Sequence, residues 1–234
     1  SRGVLRASLI PGLLEILHRN RSRGFRDLQL FESGLVFRPG AQLGTGSIPP
    51  VGQRPSEQVL ADLRGGIPEQ PLHIAAVFAG DDAPAAPGSD PRALGWRDAL
   101  EIARLVGDVL GVRLSVEQGR HQAFHPGRTA VLRLPSGDLV GTAGELHPQL
   151  VAQQGLPERT SAMELELSAI LAARDGAIAA EPLSVQTPAT QDVALVVDAA
   201  VPAAELMVTI REGAGELVED VRVFDVYQGC LLYT

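Results

Sequence analysis

Three histidines and one glutamate in the middle of the chain have side chains that could do chemistry. His121 and His125 are four residues apart, and Glu145 and His147 follow in the stretch GELHP. A histidine pair at this spacing on a helix could hold a metal ion for hydrolysis. The stretch GRHQAFHPGR, however, contains two glycines and a proline, and a residue before proline takes an extended conformation. The residues leave two alternatives, a metal or acid–base site and a pair of His-Pro corners that turn the chain, and the pattern favours the corners.

Glu145 could also form an acid–base pair with Glu164 or Glu166. The stretch SAMELELSAI alternates Met163 and Leu165 with these two glutamates. Such alternation predicts a strand with one solvent-exposed face, at the edge of a sheet. We therefore expect Glu164 and Glu166 to be solvated rather than catalytic.

Several kinds of chemistry are excluded by composition. The chain has 20 basic residues and all are arginine, so neither a Schiff-base lysine nor the lysine of a phosphate-binding P-loop is present. Cys230 is the single cysteine, which excludes an internal disulfide and a cysteine zinc cluster and fits a reducing compartment. No run of eighteen apolar residues predicts a membrane span. The stretch GLVFRPGAQLGTG lacks the strand–turn–helix order of a nucleotide-binding loop.

Charge is distributed unevenly along the chain. The formal net charge is -8, which argues against a chain that binds polyanions over its whole surface. Residues 1–40 nevertheless carry seven arginines against three acidic residues, a net charge of +4. The basic stretch RNRSRG (19–24) could contact phosphates or stay solvated. From residue 188 onward, two arginines face eight acidic residues, a net charge of -6.

Helical periodicity predicts three helices in the first 112 residues. With 45% hydrophobic but only 4% aromatic residues, the core must be aliphatic. Residues 8–20 form one predicted helix, with Pro11 in its first turn, and residues 55–63 form a short one. Residues 96–112 form the clearest helix. Its predicted apolar face consists of Ile102, Leu105, Val106, Val109 and Leu110.

Strand patterns predict an antiparallel sheet. They comprise residues 27–37, with a break or bulge at Gly34, residues 71–80, a hairpin at 129–146 that turns at 136–138, and residues 161–170. A linker follows at 174–185. Beyond it, residues 192–198 and 217–227 read as strands around a helix that begins at Pro202 and ends near Gly213 and Gly215. This order is half of a ferredoxin-like unit.

Three stretches resemble one family. LRASLIPGLLEILHRNRSRGFRDLQLFESGLVF, HPGRTAVLRL with GDLVGTAGELHPQL, and QDVALVVDAAVPAAELMVTIREGAGELVEDVRVFDVYQG are similar, in this order, to segments of the bacterial phenylalanine–tRNA ligase beta subunit. Together they cover nearly the whole chain. Two departures are Gln191 and Gln228, which stand where the family commonly has arginine.

The resemblance implies an α+β fold in two domains. Residues 1–173 would form a core similar to class II synthetases but without catalytic competence, an antiparallel sheet with flanking helices. Residues 174–185 would be a linker, and residues 186–234 a truncated ferredoxin-fold anticodon-binding domain. Residues 230–234, which depart from the family pattern, are expected not to be native.

The resemblance also implies a function. The chain would be a fragment that is inactive alone but supports ATP-dependent attachment of phenylalanine to its tRNA. Its partners would be tRNA and an alpha subunit, in an (αβ)₂ heterotetramer in the cytoplasm, and the alpha subunit would hold ATP and magnesium. No catalytic residue, metal ligand, cofactor or membrane contact is expected in this chain.

Three sets of site residues follow from the resemblance. Leu9, Leu13 and Leu17 are candidates for a subunit interface or a core. Arg211, Arg222 and Tyr227 are candidates for RNA contact. The third set forms structural turns around the hairpin, with Arg128 expected to pair with Glu145: His125, Pro126, Gly127, Arg128, Glu145, His147 and Pro148.

Two rival functions remain at this point. One is a stand-alone metal-dependent hydrolase that uses His121, His125, Glu145 and His147. The other is a non-catalytic RNA-binding or assembly protein that reuses the same scaffold. Stoichiometric zinc in the purified protein would favour the metal-dependent hydrolase. Co-purification with an alpha subunit is required only if the chain is a fragment of the ligase beta subunit.

Overall fold

The computed structural model describes residues 5–38, 40, 48–83, 86–88, 90–176 and 185–227. The chain folds as two compact units, Ser1–Ile178 and Ala179–Thr234. Part of the predicted linker (177–184), Gln228, and residues 230–234 lie outside the described residues. No helix among the described residues is long and apolar enough to cross a membrane.

The first unit is a six-stranded antiparallel sheet with helices on both faces, which confirms the predicted fold class. Its strands run in the order β1-β2-β6-β5-β4-β3. The strands are β1 Leu28–Leu35, β2 Leu72–Ala79, β3 Ser115–Gln118, β4 Phe124–Arg133, β5 Leu139–Leu146 and β6 Ser161–Glu166. The helices are α1 Ile10–Arg21, α2 Glu57–Gly65, α3 Trp96–Val109, α4 Pro148–Gln153 and α5 Leu167–Ala172.

The core has two layers, one on each face of the sheet. Alternate residues of a strand point to opposite faces. On β2, Ala75 and Val77 pack with the leucines of α1, whereas Ala76 and Phe78 pack on the side of α3. On β6, Ala162 belongs to the α1 layer. The sheet therefore separates α1 from α3.

Helix α1 confirms the helix predicted at 8–20. Pro11 lies in its first turn, and Leu13, Leu14 and Leu17 are buried. Leu9 precedes the helix without a side-chain cap, and its backbone N–H donates instead to Glu164 of β6. The start of α1 is thus attached to the centre of the sheet.

Helix α3 is present, but the prediction of its buried face is partly wrong. Leu105 and Val109 are 51% and 65% exposed. The residues fully packed on the sheet are Ala99 and Ala103, together with the buried Gly107. A Cβ at Gly107 would lie 2.6 Å from the carbonyl oxygen of residue 112. Small residues let the helix lie close to its neighbours, so the larger side chains at 105 and 109 turn towards solvent.

Two predictions for the strands are wrong. The register of β1 with β2 is unbroken from Leu28 to Leu35, so Gly34 makes no bulge. A Cβ at Gly34 would overlap the guanidinium of Arg6, which crosses this strand and donates to the carbonyl oxygen of Leu35 at 2.9 Å. Strand β6 is central rather than an edge, because it pairs with β2 on one side and β5 on the other. The short edge strand β3 was not predicted.

The hairpin and its turn are confirmed. Gly137 has φ +91°, which an L side chain rarely adopts, and its N–H donates to the carbonyl oxygen of Leu134 at 2.8 Å. Irregular register between β4 and β5 lies between Phe124 and Thr129 and again between Leu132 and Arg133.

The second unit contains the predicted helix but not regular strands. Helix α6 spans Ala203–Ala214, begins after Pro202 and ends at Gly215, which has φ +73°. Residues 192–198 and 218–227 take neither helix nor strand, and Gly215–Leu217 form a 3₁₀ turn. In a split β-α-β unit these two segments flank a third strand and do not pair with each other. The described residues of this unit contain no such strand, so neither segment is paired within the described part of the unit.

Candidate functional site

The first His-Pro corner uses the histidine as a hydrogen-bond acceptor for the backbone. The N–H of Gly127 donates to Nδ1 of His125 at 3.0 Å, and the hydroxyl of Thr129 donates to the His125 carbonyl oxygen at 2.5 Å. Both bonds lie in the irregular stretch of β4 that includes Pro126. The imidazole therefore closes a turn in which the strand loses its regular ladder.

The second corner works in the same way. His147 precedes α4, with Pro148 in the first turn, and its Nδ1 accepts from the N–H of Gln149 at 3.2 Å. The His147 N–H donates to the carbonyl oxygen of Ala123 at 2.9 Å, which joins this corner to the start of β4. Proline at this position costs nothing, because the first helical N–H groups have no partner within the helix.

His121 repeats this arrangement. Its Nδ1 accepts from the N–H of Ala123 at 3.2 Å, and its ring lies edge-on to Phe124 with centroids 5.3 Å apart. A nitrogen that accepts a backbone N–H carries no proton and has used its lone pair. Each of the three histidines thus binds the N–H two residues further along the chain.

These contacts count against the metal hydrolase. No group of three His, Cys, Asp or Glu side chains within the described ranges could hold a metal ion. The Nδ1 atoms of His121, His125 and His147 each serve a separate turn. The four residues of that hypothesis therefore do not form one site.

Glu145 forms a buried ion pair with Arg128. The glutamate is 5% exposed, and Nη1 of Arg128 lies 2.9 Å from each of its carboxylate oxygens. The preceding Gly144 allows the strands to approach, because a Cβ there would overlap the Arg128 carbonyl oxygen. The pairing predicted from the sequence is present, and it links the HPGR and GELHP stretches across the β4–β5 pair.

Glu164 lies at the centre of a polar cluster that the sequence did not predict. Its carboxylate accepts from the Ser8 hydroxyl at 2.5 Å, from the Leu9 N–H at 3.2 Å and from Nδ1 of His73 at 2.8 Å. Burial acts to raise the pKa of Glu164, but hydrogen bonds from His73, Ser8 and Leu9 outweigh it, so the pKa lies below its usual range. Nε2 of His73 is buried without a partner among the described groups.

The predicted solvated face of β6 is therefore wrong. The Glu164 side chain is 12% exposed, and Glu166 is paired with Arg38 at 2.5 Å. Alternation along one strand shows which residues share a face but cannot show that α1 covers the polar face. The residues that hold Glu164 lie 91 to 156 positions away in the sequence.

The carboxylates also do not form an acid–base pair. Glu145 is opposite Ser161 in the β5–β6 register, and Glu164 lies three positions beyond Ser161. Side chains alternate, so the carboxylates of Glu145 and Glu164 point to opposite faces of the sheet. Glu166 shares the face of Glu164.

Of the two alternatives for the three leucines of α1, a core or a subunit interface, the structure shows the core. Leu9, Leu13 and Leu17 are at most 1% exposed and belong to the core between α1 and the sheet. Their periodicity marks a buried face, and this chain's own strands cover it completely. They act as core residues and leave no side-chain surface for a partner subunit.

The three candidates for RNA contact lie in the second unit. Arg211 is in the last turn of α6, and its side chain lies 3.9 Å from the Asp220 carboxylate. Arg222 is exposed, and Tyr227 is 67% exposed. All three are accessible to a ligand, but the structure does not bring them into one defined site.

Comparison with known proteins identifies the family. The profile described as the phenylalanyl tRNA synthetase beta chain CLM domain matches residues 1–167, and the ferredoxin-fold anticodon binding domain matches residues 184–232. The phenylalanine–tRNA ligase beta subunit of Thermobifida fusca is 47% identical over 97% of this chain and 28% of the relative. That of Streptomyces avermitilis is 46% identical over 96% of this chain and 27% of the relative.

The beta subunit of Leifsonia xyli is 45% identical, again over 96% of this chain and 27% of the relative. The chain thus spans little more than a quarter of the curated relatives it matches. Among solved structures, the pyrrolysyl tRNA synthetase PylSc of Desulfitobacterium hafniense matches with a TM-score of 0.45 and 15% identity. The match covers 72% of this chain and 48% of that chain, and the likeness is too distant to bear on function. The two profile matches follow each other along the sequence as the predicted domains do, and the chain belongs to the phenylalanyl-tRNA synthetase beta chain family.

Proposed function

We propose that this chain supports the ATP-dependent attachment of phenylalanine to its tRNA as a non-catalytic part of phenylalanine–tRNA ligase. It provides a scaffold that docks on the alpha subunit, in an (αβ)₂ assembly in the cytoplasm, and a second domain that contacts tRNA. The chain alone is inactive. The observation that carries this proposal is that the side chains most suited to chemistry hold the fold together.

The engaged side chains support a scaffold. His121, His125 and His147 accept backbone N–H groups in turns. The buried carboxylate of Glu145 pairs with an arginine, and Glu164 binds the start of α1. Groups committed to structural hydrogen bonds are poorly placed to transfer protons to a substrate.

ATP and magnesium are assigned to the alpha subunit for a related reason. Magnesium prefers carboxylates and phosphate oxygens in octahedral geometry. The described carboxylates Glu145, Glu164 and Glu166 each pair with a cationic or hydrogen-bonding side chain, and the described residues offer no three converging ligands. The donor set of the described residues does not fit the ion.

The edge strand β1 supports the docking role. Among the described residues, strand β1 pairs with β2 alone, so no described strand lies along its other edge. Phe31 is 77% exposed, and Leu35 on the same face is also exposed. An open edge with exposed apolar side chains is suited to pairing with another chain. We assign the alpha subunit to this edge.

The domain boundaries and RNA contacts complete the proposal. Residues 1–173 are the class II synthetase-like core, residues 174–185 the linker and residues 186–234 belong to the anticodon-binding domain. The profile matches and the two compact units support this division. Arg211 and Arg222 would bind phosphates, and Tyr227 would stack on a base.

Co-purification tests the proposal. The tagged chain is co-expressed with the alpha subunit of Thermobifida fusca phenylalanine–tRNA ligase, and the eluate is analysed by light scattering. We expect equal amounts of both chains, with a mass of two copies of each. The substitution Phe31→Arg should weaken capture, whereas Val116→Arg on the opposite edge strand is the matched control. Capture of no alpha subunit, or charging of tRNA by the chain alone, would refute the proposal.

A further inference from the structure

Four arginines lie close together where α1 ends and the chain turns towards β1. Arg19, Arg21, Arg23 and Arg26 fall within eight residues, in the stretch RNRSRGFR, which contains no acidic residue. All four are exposed. None has an ion pair or a side-chain hydrogen bond within the part of the chain that the structure describes. We call residues 19–26 the arginine segment.

The surrounding structure does not neutralise this charge. Asp27 follows the segment directly and keeps its negative charge while its carboxylate accepts the N–H of Asp81 at 2.9 Å. Four arginines against this one carboxylate still leave a net charge of +3 over residues 19–27. The negative end of the α1 dipole attracts the basic residues of its last turn, which helps to explain why they are there. That attraction leaves the guanidinium N–H donors free. Guanidinium donors without a partner among the described residues therefore face solvent, on a chain whose net charge is -8.

A fifth arginine extends this surface. Arg21 and Arg159 line the same open cleft of about 720 Å³, beside α4. Arg159 has φ +63°, a left-handed conformation that a non-glycine residue adopts only when its surroundings impose it. The buried Thr160 and Ser161 impose it, because their hydroxyls donate to the carbonyl oxygens of Pro157 at 2.7 Å and Arg159 at 3.0 Å. These bonds fix the backbone of the loop at Arg159.

The cleft also contains two carboxylates. Glu145 is already paired with Arg128, so its charge is compensated. Glu158 lies exposed beside Arg159 and has no ion pair with another described residue. Arg21 and Arg159 have no ion pair within the described ranges, so the cleft keeps a net positive charge. The negative charge of Glu158 would repel a bound anion, so its neutralisation should strengthen the binding of an anion.

The chemistry of this surface fits the backbone of an RNA. Guanidinium groups form forked hydrogen bonds with phosphate oxygens, and several of them spaced along a turn can meet successive phosphates. Phe25 is 59% exposed within the arginine segment. An exposed aromatic ring among arginines provides a stacking surface for an unpaired base. An acidic protein surface would pair with the arginines but would give no reason for the exposed ring of Phe25.

We propose that the arginine segment and Arg159 form a tRNA-contacting surface on the first unit, separate in the sequence from the anticodon-binding domain. The arginines bind phosphates, and Phe25 stacks on a base. This inference rests on the proposed function, because it takes tRNA as the substrate of the parent ligase.

The experiment measures the binding of fluorescently labelled tRNA(Phe) to the full chain co-purified with the alpha subunit. Affinity is measured by anisotropy across a range of salt concentrations. The double variant Arg21→Gln/Arg23→Gln should bind on the order of ten-fold more weakly, and the slope of log K against log salt should fall by about 1.5 to 2. Arg159→Gln should weaken binding, and Glu158→Gln should strengthen it.

Two control variants separate local contacts from general charge. Arg104→Gln/Arg113→Gln removes the same charge from exposed arginines on and after α3, on the other face of the sheet, and should bind tRNA like the parent. Arg21→Lys/Arg23→Lys keeps the charge and should retain most of the salt slope. Unchanged thermal unfolding shows that each variant is folded.

The outcomes distinguish this inference from the proposed function. Complexes that form normally but bind tRNA equally well with and without Arg21 and Arg23 would overturn the inference alone. Loss of the alpha subunit with unchanged tRNA affinity would identify a protein-docking surface and also overturn it. A parent chain that captures no alpha subunit would overturn the proposed function, and the inference with it.

Discussion

Replacing Glu164 by glutamine tests how α1 is attached to the sheet. The substitution keeps the shape of the side chain but removes the charge that accepts hydrogen bonds from Ser8, Leu9 and His73. Hydrogen bonds to a charged group contribute about 1.5–3 kcal/mol each, and a donor left buried without a partner costs a similar amount. The glutamine can replace some of these bonds. We therefore expect the free energy of unfolding to fall by about 2–3 kcal/mol.

The assay is urea and thermal unfolding followed by the fluorescence of Trp96, the single tryptophan, which lies in the first unit. For a chain of this size the loss corresponds to a fall in Tm of roughly 5–10 °C. The control is Glu117→Gln, which breaks an exposed pair with Arg133 on edge strand β3 and should cost at most about 1 kcal/mol.

The pH dependence gives a second readout of the same cluster. The pKa of Glu164 is lower in the folded chain than its ordinary value, so the unfolded chain binds the proton more readily. The stabilisation by the carboxylate is therefore complete above the ordinary pKa and is lost as pH falls through the lowered one. The gap between parent and Glu164→Gln should narrow as the solution becomes acidic. Equal stabilities at neutral pH, or a gap that widens in acid, would refute this account of the cluster.

Four further predictions concern packing and pairing. Leu13→Asp should lower the free energy of unfolding by about 3 kcal/mol or more, because it buries an unpaired charge in the α1 layer, and an unmoved melting temperature would contradict it. Gly107→Ala should destabilise the chain by about 1 kcal/mol, since overpacking against residue 112 outweighs the gain in helix propensity. Gly65→Ala, where a Cβ meets nothing within 4 Å, should instead stabilise slightly in the same unfolding assay. Hydrogen exchange should be fast across residues 218–227 in this chain and slow in β6, and slow exchange at 218–227 would show that these residues are paired.

Features that depend on neighbouring residues were predictable from the sequence. Pro11 and the leucine spacing predicted α1, and Gly137 predicted the hairpin turn, because each acts within a few residues. Pro202 and Gly215 predicted the ends of α6 in the same way. The proline after His125 and His147 predicted corners, and the imidazole contacts in the structure complete that prediction at the level of atoms. The family resemblance drew on the same local motifs.

The tertiary structure alone decided which surfaces are covered. The alternating pattern around Glu164 predicted a solvent-exposed face of the strand, but α1 lies over that face. The residues that bind the Glu164 carboxylate are far away in the sequence. Leucine spacing identified the buried face of α1 without revealing whether a partner or this chain's own sheet covers it. In α3 the buried residues are Ala99, Ala103 and Gly107, and residues 112 and 114 leave no room for a side chain at Gly107, whereas Leu105 and Val109 are exposed. Periodicity is a property of one segment, whereas burial is a property of two segments in contact, and that contact exists only once the chain has folded.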